Sequence, residues 1–339
     1  MSQMFCTICS KVTVYQVVTL HRSLQKQNHT YQLTILCADV ESYQLLTEWK
    51  GENVCVLSTY SIQSYLPYQD DRPLHEFCWM LKPIVMSYVL TELKIESVVF
   101  VDADMYVCQP VEYLFKNHPN ANVLLTPENK YFPNVREEFL NEITAITGKY
   151  NSGFVFMRNS EETLNCLKWW VDRCKESTTV SKEVLEVFAD QKYVEQFHNH
   201  FLGIEDVNHP GVNTGPWNVL KYKFTKGNEG WKIGNKPLYC YHFVGFKIHS
   251  VDDIKLFNDY DFLKQVYGTH DFLKLNQTLA PLYEEYVSEV KASIAEVQAV
   301  KNEFIGKYAL TKPEYDKLWR EESSLEGDNE LSVQSSKYQ

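Results

Sequence analysis

The sequence predicts an α/β fold: a mixed, mostly parallel sheet flanked by helices, with a helical extension towards the C-terminal end. Three observations predict it. Short apolar runs alternate with stretches of helical periodicity through the first half of the chain. The run Val98 to Val101 is apolar at every position, as in a strand covered on both faces. From about Asp271 the pattern becomes helical.

Phe5 to Cys9 reads as a short buried strand, and Val14 to Gln27 follows at helical spacing. Leu33 to Cys37 is a second strand that leaves through Ala38-Asp39; Tyr43 to Trp49 is helical and Val54 to Leu57 a third strand. Phe77 to Leu93 is a longer helix in which Pro83 marks a start or a kink. Val98 to Val101 then delivers the chain to Asp102. Further on, Gly153 to Met157 and Leu238 to Val244 read as strands, and Glu161 to Lys175 as a helix. Leu273 to Leu282 and Tyr286 to Phe304 read as two amphipathic helices. In parallel sheets, ligands bind beyond the carboxyl ends of the strands. Thr7, Asp39 and Asp102 lie at or near that edge.

The chain has 339 residues, 44% hydrophobic and 23% charged, the balance of a soluble globular protein. One large domain (1–270), a helical extension (271–320) and a polar tail (321–339) suit this length better than two domains. No stretch reaches the roughly 20 apolar residues that span a bilayer, and the first residues lack the pattern of a secretory signal. A cytoplasmic chain is expected, with peripheral contact at a membrane as the variant. The net charge of −11 argues against nucleic acid polymers as partners. Nine cysteines, several within apolar runs, read as reduced core thiols. Cys6 and Cys9 form a C-x-x-C pair, but along one strand their side chains do not share a face.

The strongest chemical signal is VVFVDADMYV, Val98 to Val107. An apolar strand delivers two carboxylates, Asp102 and Asp104, into a turn, with only the small Ala103 between them. Two carboxylates hold a hard cation, which neutralises a departing diphosphate. A bare D-x-D is common in exposed loops, whereas one placed directly after a buried strand is not. In YNSGFVFMR, Asn151 and Ser152 offer groups for sugar hydroxyls and Gly153 permits close backbone approach, although Asn-Ser-Gly is also ordinary turn chemistry. In FADQKYV, Asp190 and Gln191 are adjacent polar residues among apolar ones; a helix cap is the plain alternative. In YCYHFVGFK, His242 is a candidate metal ligand, and Gly245 and Lys247 could steady a diphosphate through an amide and a charge. A lone histidine in such a strand is more often a core residue, and its two companions raise its weight. Lys82, in FCWMLKP, is a further candidate: a lysine on a helix face is usually solvated, but its apolar neighbours open the alternative of a cleft.

Taken in order, these motifs over Met4 to Ser250 resemble glycosyltransferase family 8, which includes bacterial lipopolysaccharide galactosyl- and glucosyltransferases and the glycogenins. The resemblance implies a GT-A fold, the Rossmann-like sheet of nucleotide-diphospho-sugar transferases. It implies Mn²⁺ (or Mg²⁺) held by Asp102, Asp104 and His242, a UDP-sugar donor, and retention of anomeric configuration. It places Thr7 and Ala103 by the nucleotide, Lys82 on the donor, and Asn151 and Ser152 along the sugar and acceptor. Asp190 would bind the donor sugar and Gln191 would lie beneath the anomeric carbon; these two are the candidate catalytic residues, with a front-side route preferred and Asp190 keeping a double displacement open. The sequence departs from the family at His242 to Lys247, where the lysine comes one residue early and no Pro-Trp follows. The segment FCTICSKVT also lacks the acidic residue often found there. The expected partners are a nucleotide-sugar donor and a glycan, glycolipid or protein acceptor, and the C-terminal helices either cap the core or join a homodimer. Two other readings stand beside this one: a carbohydrate-binding scaffold, and a sugar-nucleotide-forming nucleotidyltransferase. The second wants a glycine-rich basic loop near the N-terminus, and Met1 to Gln32 contains no glycine.

Overall fold

The computed structural model describes residues 3–27, 30–67, 72–133, 135–180, 187–256 and 272–300. Four parallel strands build the first half of the main sheet: β1 (Gln3–Cys9), β2 (Tyr31–Cys37), β3 (Val54–Ser58) and β4 (Ser97–Val101). Between them run helices α1 (Val14–Gln25), α2 (Val40–Trp49) and α3 (Leu74–Thr91). Val99 of β4 lies opposite Phe5 of β1, so the chain leaves both strands at one edge. Asp39 caps α2 there: one carboxylate oxygen accepts from the Ser42 amide at 2.7 Å and the other from the Lys11 amide at 2.7 Å. It thus ties the loop after β2 to the loop after β1.

Beyond β4 the chain forms β5 (Met105–Val107), helix α4 (Glu112–Lys116), β6 (Val123–Leu125), helix α5 (Glu137–Thr147), β7 (Phe154–Arg158) and helix α6 (Glu161–Glu176). Two single-turn helices come next, α7 (Gln191–Val194) and α8 (Phe197–His200), before β8 (Ile204–Asp206). The seven-stranded order is β3-β2-β1-β4-β7-β6-β8. β7 runs antiparallel to both its neighbours and the other pairings are parallel, so the sheet is mixed and mostly parallel, as expected. Strands β9 (Phe224–Gly227), β10 (Gly230–Ile233) and β11 (Lys236–Pro237) form a small meander. β12 (Cys240–His242) then pairs antiparallel with β5, and β13 (Lys247–Ile248) pairs with β14 (Ile254–Lys255).

A separate core packs on each face of the main sheet. Phe5, Val99, Val101 and Phe154 belong to the one that includes α1, and Cys6, Val98, Phe100 and Val155 to the one that includes α3 and α6. Cys6 and Cys9 fall in opposite cores, as strand alternation requires. All nine cysteines are free; Cys55 is exposed and Cys78 half-buried, so the expectation of core thiols holds for the other seven.

Three sequence boundaries shift. Pro83 neither starts nor splits α3, which runs through it. The strand expected over Leu238 to Val244 is only Cys240–His242, because the chain turns at Gly245 with φ of 82°. The C-terminal helices break earlier than expected: α9 (Phe272–Leu275) and a 3₁₀ turn at Gln277–Leu279 precede α10 (Ala280–Val300). Asn276 causes the break by donating its side-chain amide to the Val219 and Tyr222 carbonyls, each at 2.8 Å, and Pro281 is tolerated because it falls in the first turn of α10. The end expected at Phe304 and the polar tail from Glu321 lie outside the described residues. α10 packs on α1, with Arg22 paired to Glu289 and Glu296 at 3.1 Å each and Thr19 bonded to Ser293 at 2.8 Å. Its Tyr286 ring stacks on Phe243 at 3.7 Å, immediately beside His242.

Candidate active site

The register of three strands assembles the carboxylate cluster. β4 ends at Val101, and a tight turn through Asp102, Ala103 and Asp104 leads into β5, closed by the Met105 amide on the Asp102 carbonyl at 3.1 Å. β12 lies beside β5 with His242 opposite Met105, and the Phe243 amide donates to the Asp104 carbonyl at 2.9 Å. His242 Nε2 is therefore 2.9 Å from Asp104 Oδ1 and 3.8 Å from Asp102 Oδ2. One donor atom from each of the three residues lies within 4.8 Å of the others. β7 enters from the other side, where the Asp102 amide donates to the Gly153 carbonyl at 2.9 Å. A Cβ on Gly153 would stand 2.6 Å from His242 Cε1 and 2.7 Å from Asp102 Oδ2. Glycine is required there for space.

Lys82 reaches in from α3 and is buried. Its ammonium lies 3.0 Å from Asp102 Oδ1, 3.2 Å from Ser152 Oγ and 3.4 Å from Asp190 Oδ1. Burial alone would depress its pKa; the two carboxylates outweigh burial and raise it. Asp190 is only 1% exposed, and its Oδ2 has no hydrogen-bond partner among the described residues. Burial pushes its carboxyl up against the pull of Lys82. Burial also drives Asp104 up and His242 down, yet their mutual attraction reverses both, so Asp104 lies below and His242 above the usual range. Their 2.9 Å contact thus favours the charged form of each.

Sequence reasoning missed two residues that hold the site together. Asn213 accepts at Oδ1 from the His242 ring at Nδ1, 3.0 Å away, and donates through Nδ2 to Asn151 Oδ1 and Thr126 Oγ1 at 2.9 Å each. It lies in GVNTGP with φ of 51°, which in the sequence reads only as a loop. Buried Glu128 accepts from Asn151 Nδ2 at 3.1 Å and from Gln191 Nε2 at 3.4 Å, and pairs with Lys130. Neither residue shows a spacing signal; contacts across the fold select them.

Lys82, Asp102, Asp104, Asn151, Ser152, Asp190, Gln191 and His242 thus form one connected group. Thr7 sits on β1, buried, and its hydroxyl has no hydrogen-bond partner among the described residues. Gly245 occupies the turn after β12, and Lys247 begins β13.

The donor set suits a divalent cation. Two carboxylates and an imidazole converge, and Asn213 on Nδ1 turns the Nε2 of His242 towards the acids.

Residues 28–244 match the sequence pattern of the family described as nucleotide-diphospho-sugar transferase. The chain belongs to this family. The matched stretch of the transferase contains every residue of the connected group; Thr7 precedes it, and it ends one residue before Gly245. The transferase is 28% identical over 305 residues to the uncharacterized protein YfnF of Bacillus subtilis (strain 168), covering 85% of this chain and 99% of the relative. It is 27% identical over 322 residues to YfnD of the same organism, also uncharacterized, covering 93% and 98%. Among solved structures it is similar to the galactosyltransferase LgtC in complex with donor and acceptor sugar analogues, at 12% identity and a TM-score of 0.49, covering 78% of this chain and 95% of that one. Mouse xyloside xylosyltransferase 1 is similar at 13% identity and a TM-score of 0.42, covering 71% and 97%. Among the described residues, no helix of the transferase is long and apolar enough to cross a membrane.

Proposed function

We propose that the chain is a metal-dependent glycosyltransferase that moves a hexose from a UDP-sugar to a hydroxyl acceptor with retention of configuration. The observation that carries this is the convergence of Asp102, Asp104 and His242 beside Lys82 and Asp190, at the carboxyl end of β4. Asp102, Asp104 and His242 would hold Mn²⁺ or Mg²⁺, which when bound supplies positive charge against the diphosphate that departs. Lys82 adds a fixed cation in a buried setting, and the Gly245 amide and Lys247 are assigned to the same diphosphate. Thr7 and Ala103 are assigned to the nucleotide side.

The unpartnered Oδ2 of Asp190 is an acceptor for a hydroxyl of the donor sugar. Asn151 and Ser152 line the sugar and acceptor side. Gln191 lies beneath the anomeric carbon, and an amide is a poor nucleophile there, which favours a front-side route over a double displacement. The bond between the anomeric carbon and the diphosphate oxygen breaks, the acceptor oxygen bonds from the same face, and its proton leaves on the diphosphate. Calorimetric titration of UDP, first with Mn²⁺ and then with EDTA, tests the reading. Binding that requires the metal and is lost in Asp104→Asn supports it. Absence of binding with UDP, GDP and CDP alike would overturn it.

A further inference from the structure

Glu128 carries no sequence motif, yet it stands where two lines of side-chain amides begin. One carboxylate oxygen, Oε1, accepts from Asn151 Nδ2 at 3.1 Å and from Gln191 Nε2 at 3.4 Å. The other, Oε2, faces the Lys130 ammonium, which also donates to the Gly148 carbonyl at 2.6 Å. Glu128, Asn151 and Gln191 are buried, Glu128 being 6% exposed.

An amide side chain is directional, with donors on nitrogen and acceptors on oxygen, and a carboxylate is acceptor-only. Along the first line, Asn151 must turn its nitrogen to Glu128. Its Oδ1 then accepts from the Gly153 amide and from Asn213 Nδ2, each at 2.9 Å. With its nitrogen committed, Asn213 presents Oδ1 to His242, so Nδ1 must donate the 3.0 Å bond and Nε2 is the ring atom left facing Asp102 and Asp104. Along the second line, Gln191 commits its nitrogen to Glu128 and to the Thr147 carbonyl at 2.8 Å. Its carbonyl oxygen is thereby turned to the Ser152 amide, 3.4 Å away, on the side of the cluster. Asn151 and Gln191 are fixed by partners that only donate or only accept, and Asn213 by the Asn151 carbonyl, which accepts from its Nδ2 at 3.3 Å.

We propose that Glu128 is the positioning residue of this site: its carboxylate sets the direction of both amide lines, so that His242 presents Nε2 and Gln191 presents its carbonyl oxygen. Only a carboxylate can do this beside Lys130, since it offers an acceptor on both sides. A glutamine at 128 has one oxygen, and Lys130 competes for it with the two amides. The inference rests on the proposed metal-dependent transfer for its kinetic consequence, but the orientations themselves can be measured without a sugar.

The experiment compares wild type, Glu128→Gln, Glu128→Asp and the double variant Glu128→Gln/Lys130→Met. In the wild type, ¹⁵N NMR should show the Gln191 side-chain amide protected from solvent exchange, identified by its loss in Gln191→Glu. It should also show the His242 proton on Nδ1 when Mg²⁺ is added. E128Q should lose the Gln191 protection and bind Mn²⁺ about tenfold more weakly by electron paramagnetic resonance. With saturating Mn²⁺ and whichever of UDP-glucose, UDP-galactose and UDP-N-acetylglucosamine the wild type hydrolyses, its kcat should fall about tenfold with the donor KM unchanged. E128D should recover part of the loss. The double variant, which removes the competing ammonium, should recover most of it and also serves if E128Q fails to fold. An exchange-labile Gln191 amide, or a His242 proton on Nε2 in place of Nδ1 when Mg²⁺ is bound, overturns the proposal in the wild type, as does E128Q behaving like wild type. Failure of the wild type to bind Mn²⁺ through Asp104 overturns the metal site instead and leaves the amide measurement to decide the role of Glu128.

Discussion

Gly153→Ala adds one methyl group at the most crowded point of the site. The ideal Cβ stands 2.6 Å from His242 Cε1, 2.7 Å from Asp102 Oδ2 and 2.8 Å from Asn151 Oδ1. Non-bonded carbons rest at about 3.5–4.0 Å, so the His242 contact is short by about 1 Å. The backbone at Gly153 is not left-handed, so alanine meets a steric obstacle and no dihedral one. Two of the three neighbours cannot give way cheaply. Asn151 is held by Glu128, Asn213 and the Gly153 amide; His242 is held by Asn213 and by a perpendicular contact with the Trp217 ring, 5.5 Å between centres. The displacement falls first on Asp102, and on His242 only at a cost, and both are proposed metal ligands. Overpacking of this kind costs about 1–3 kcal/mol, or about 2–10 °C in midpoint for a domain of this size. Mn²⁺ affinity should fall about 10- to 100-fold. Thermal melts and Mn²⁺-dependent UDP calorimetry read the two effects separately. Gly227→Ala is the control, because nothing lies within 4 Å of its Cβ, and it should change stability by no more than about 0.5 kcal/mol. If Gly153→Ala binds Mn²⁺ and UDP as wild type does, the three side chains do not form the metal site.

The ion pairs make two further predictions. Lys82→Met leaves buried Asp190 without its cation and should cost about 3 kcal/mol in urea unfolding, much of which Lys82→Met/Asp190→Asn should restore; a double variant no better than the single would sink the pairing. The metal-free His242–Asp104 pair should stabilise the fold within a pH window. The raised His242 contributes fully below the ordinary histidine value near 6.5 and is lost as pH rises through its folded value; the lowered Asp104 contributes above the ordinary carboxyl value and is lost as pH falls through its folded one. Melting temperature in EDTA should therefore fall on both flanks more steeply for wild type than for His242→Gln, and parallel profiles would contradict the pair.

By itself the sequence determined the layered fold and the acids that face its edge. Buried strands write themselves as uninterrupted apolar runs, and Val98 to Val101 followed by Asp102 and Asp104 needs no partner to be read, because hydrophobic burial is a local property of the chain. Lys82, Asp190, Gln191 and His242 stood out because polar residues among apolar ones are locally conspicuous, whereas Asn151, ordinary turn chemistry by itself, gained weight only from the order of the motifs. Pro281 marks the helix start at Ala280, although apolar periodicity runs straight across it; the break itself comes from Asn276 bonding to Val219 and Tyr222, far away in sequence. Only the tertiary structure decided that His242 falls beside Asp104, through the β5–β12 register, and that Gly153 is needed for room. It alone revealed Glu128 and Asn213, whose importance lies in the direction of hydrogen bonds to partners 23 to 63 and 29 to 87 residues distant. Direction and distance between side chains are set when strands pair and loops close, and no spacing along the chain encodes them.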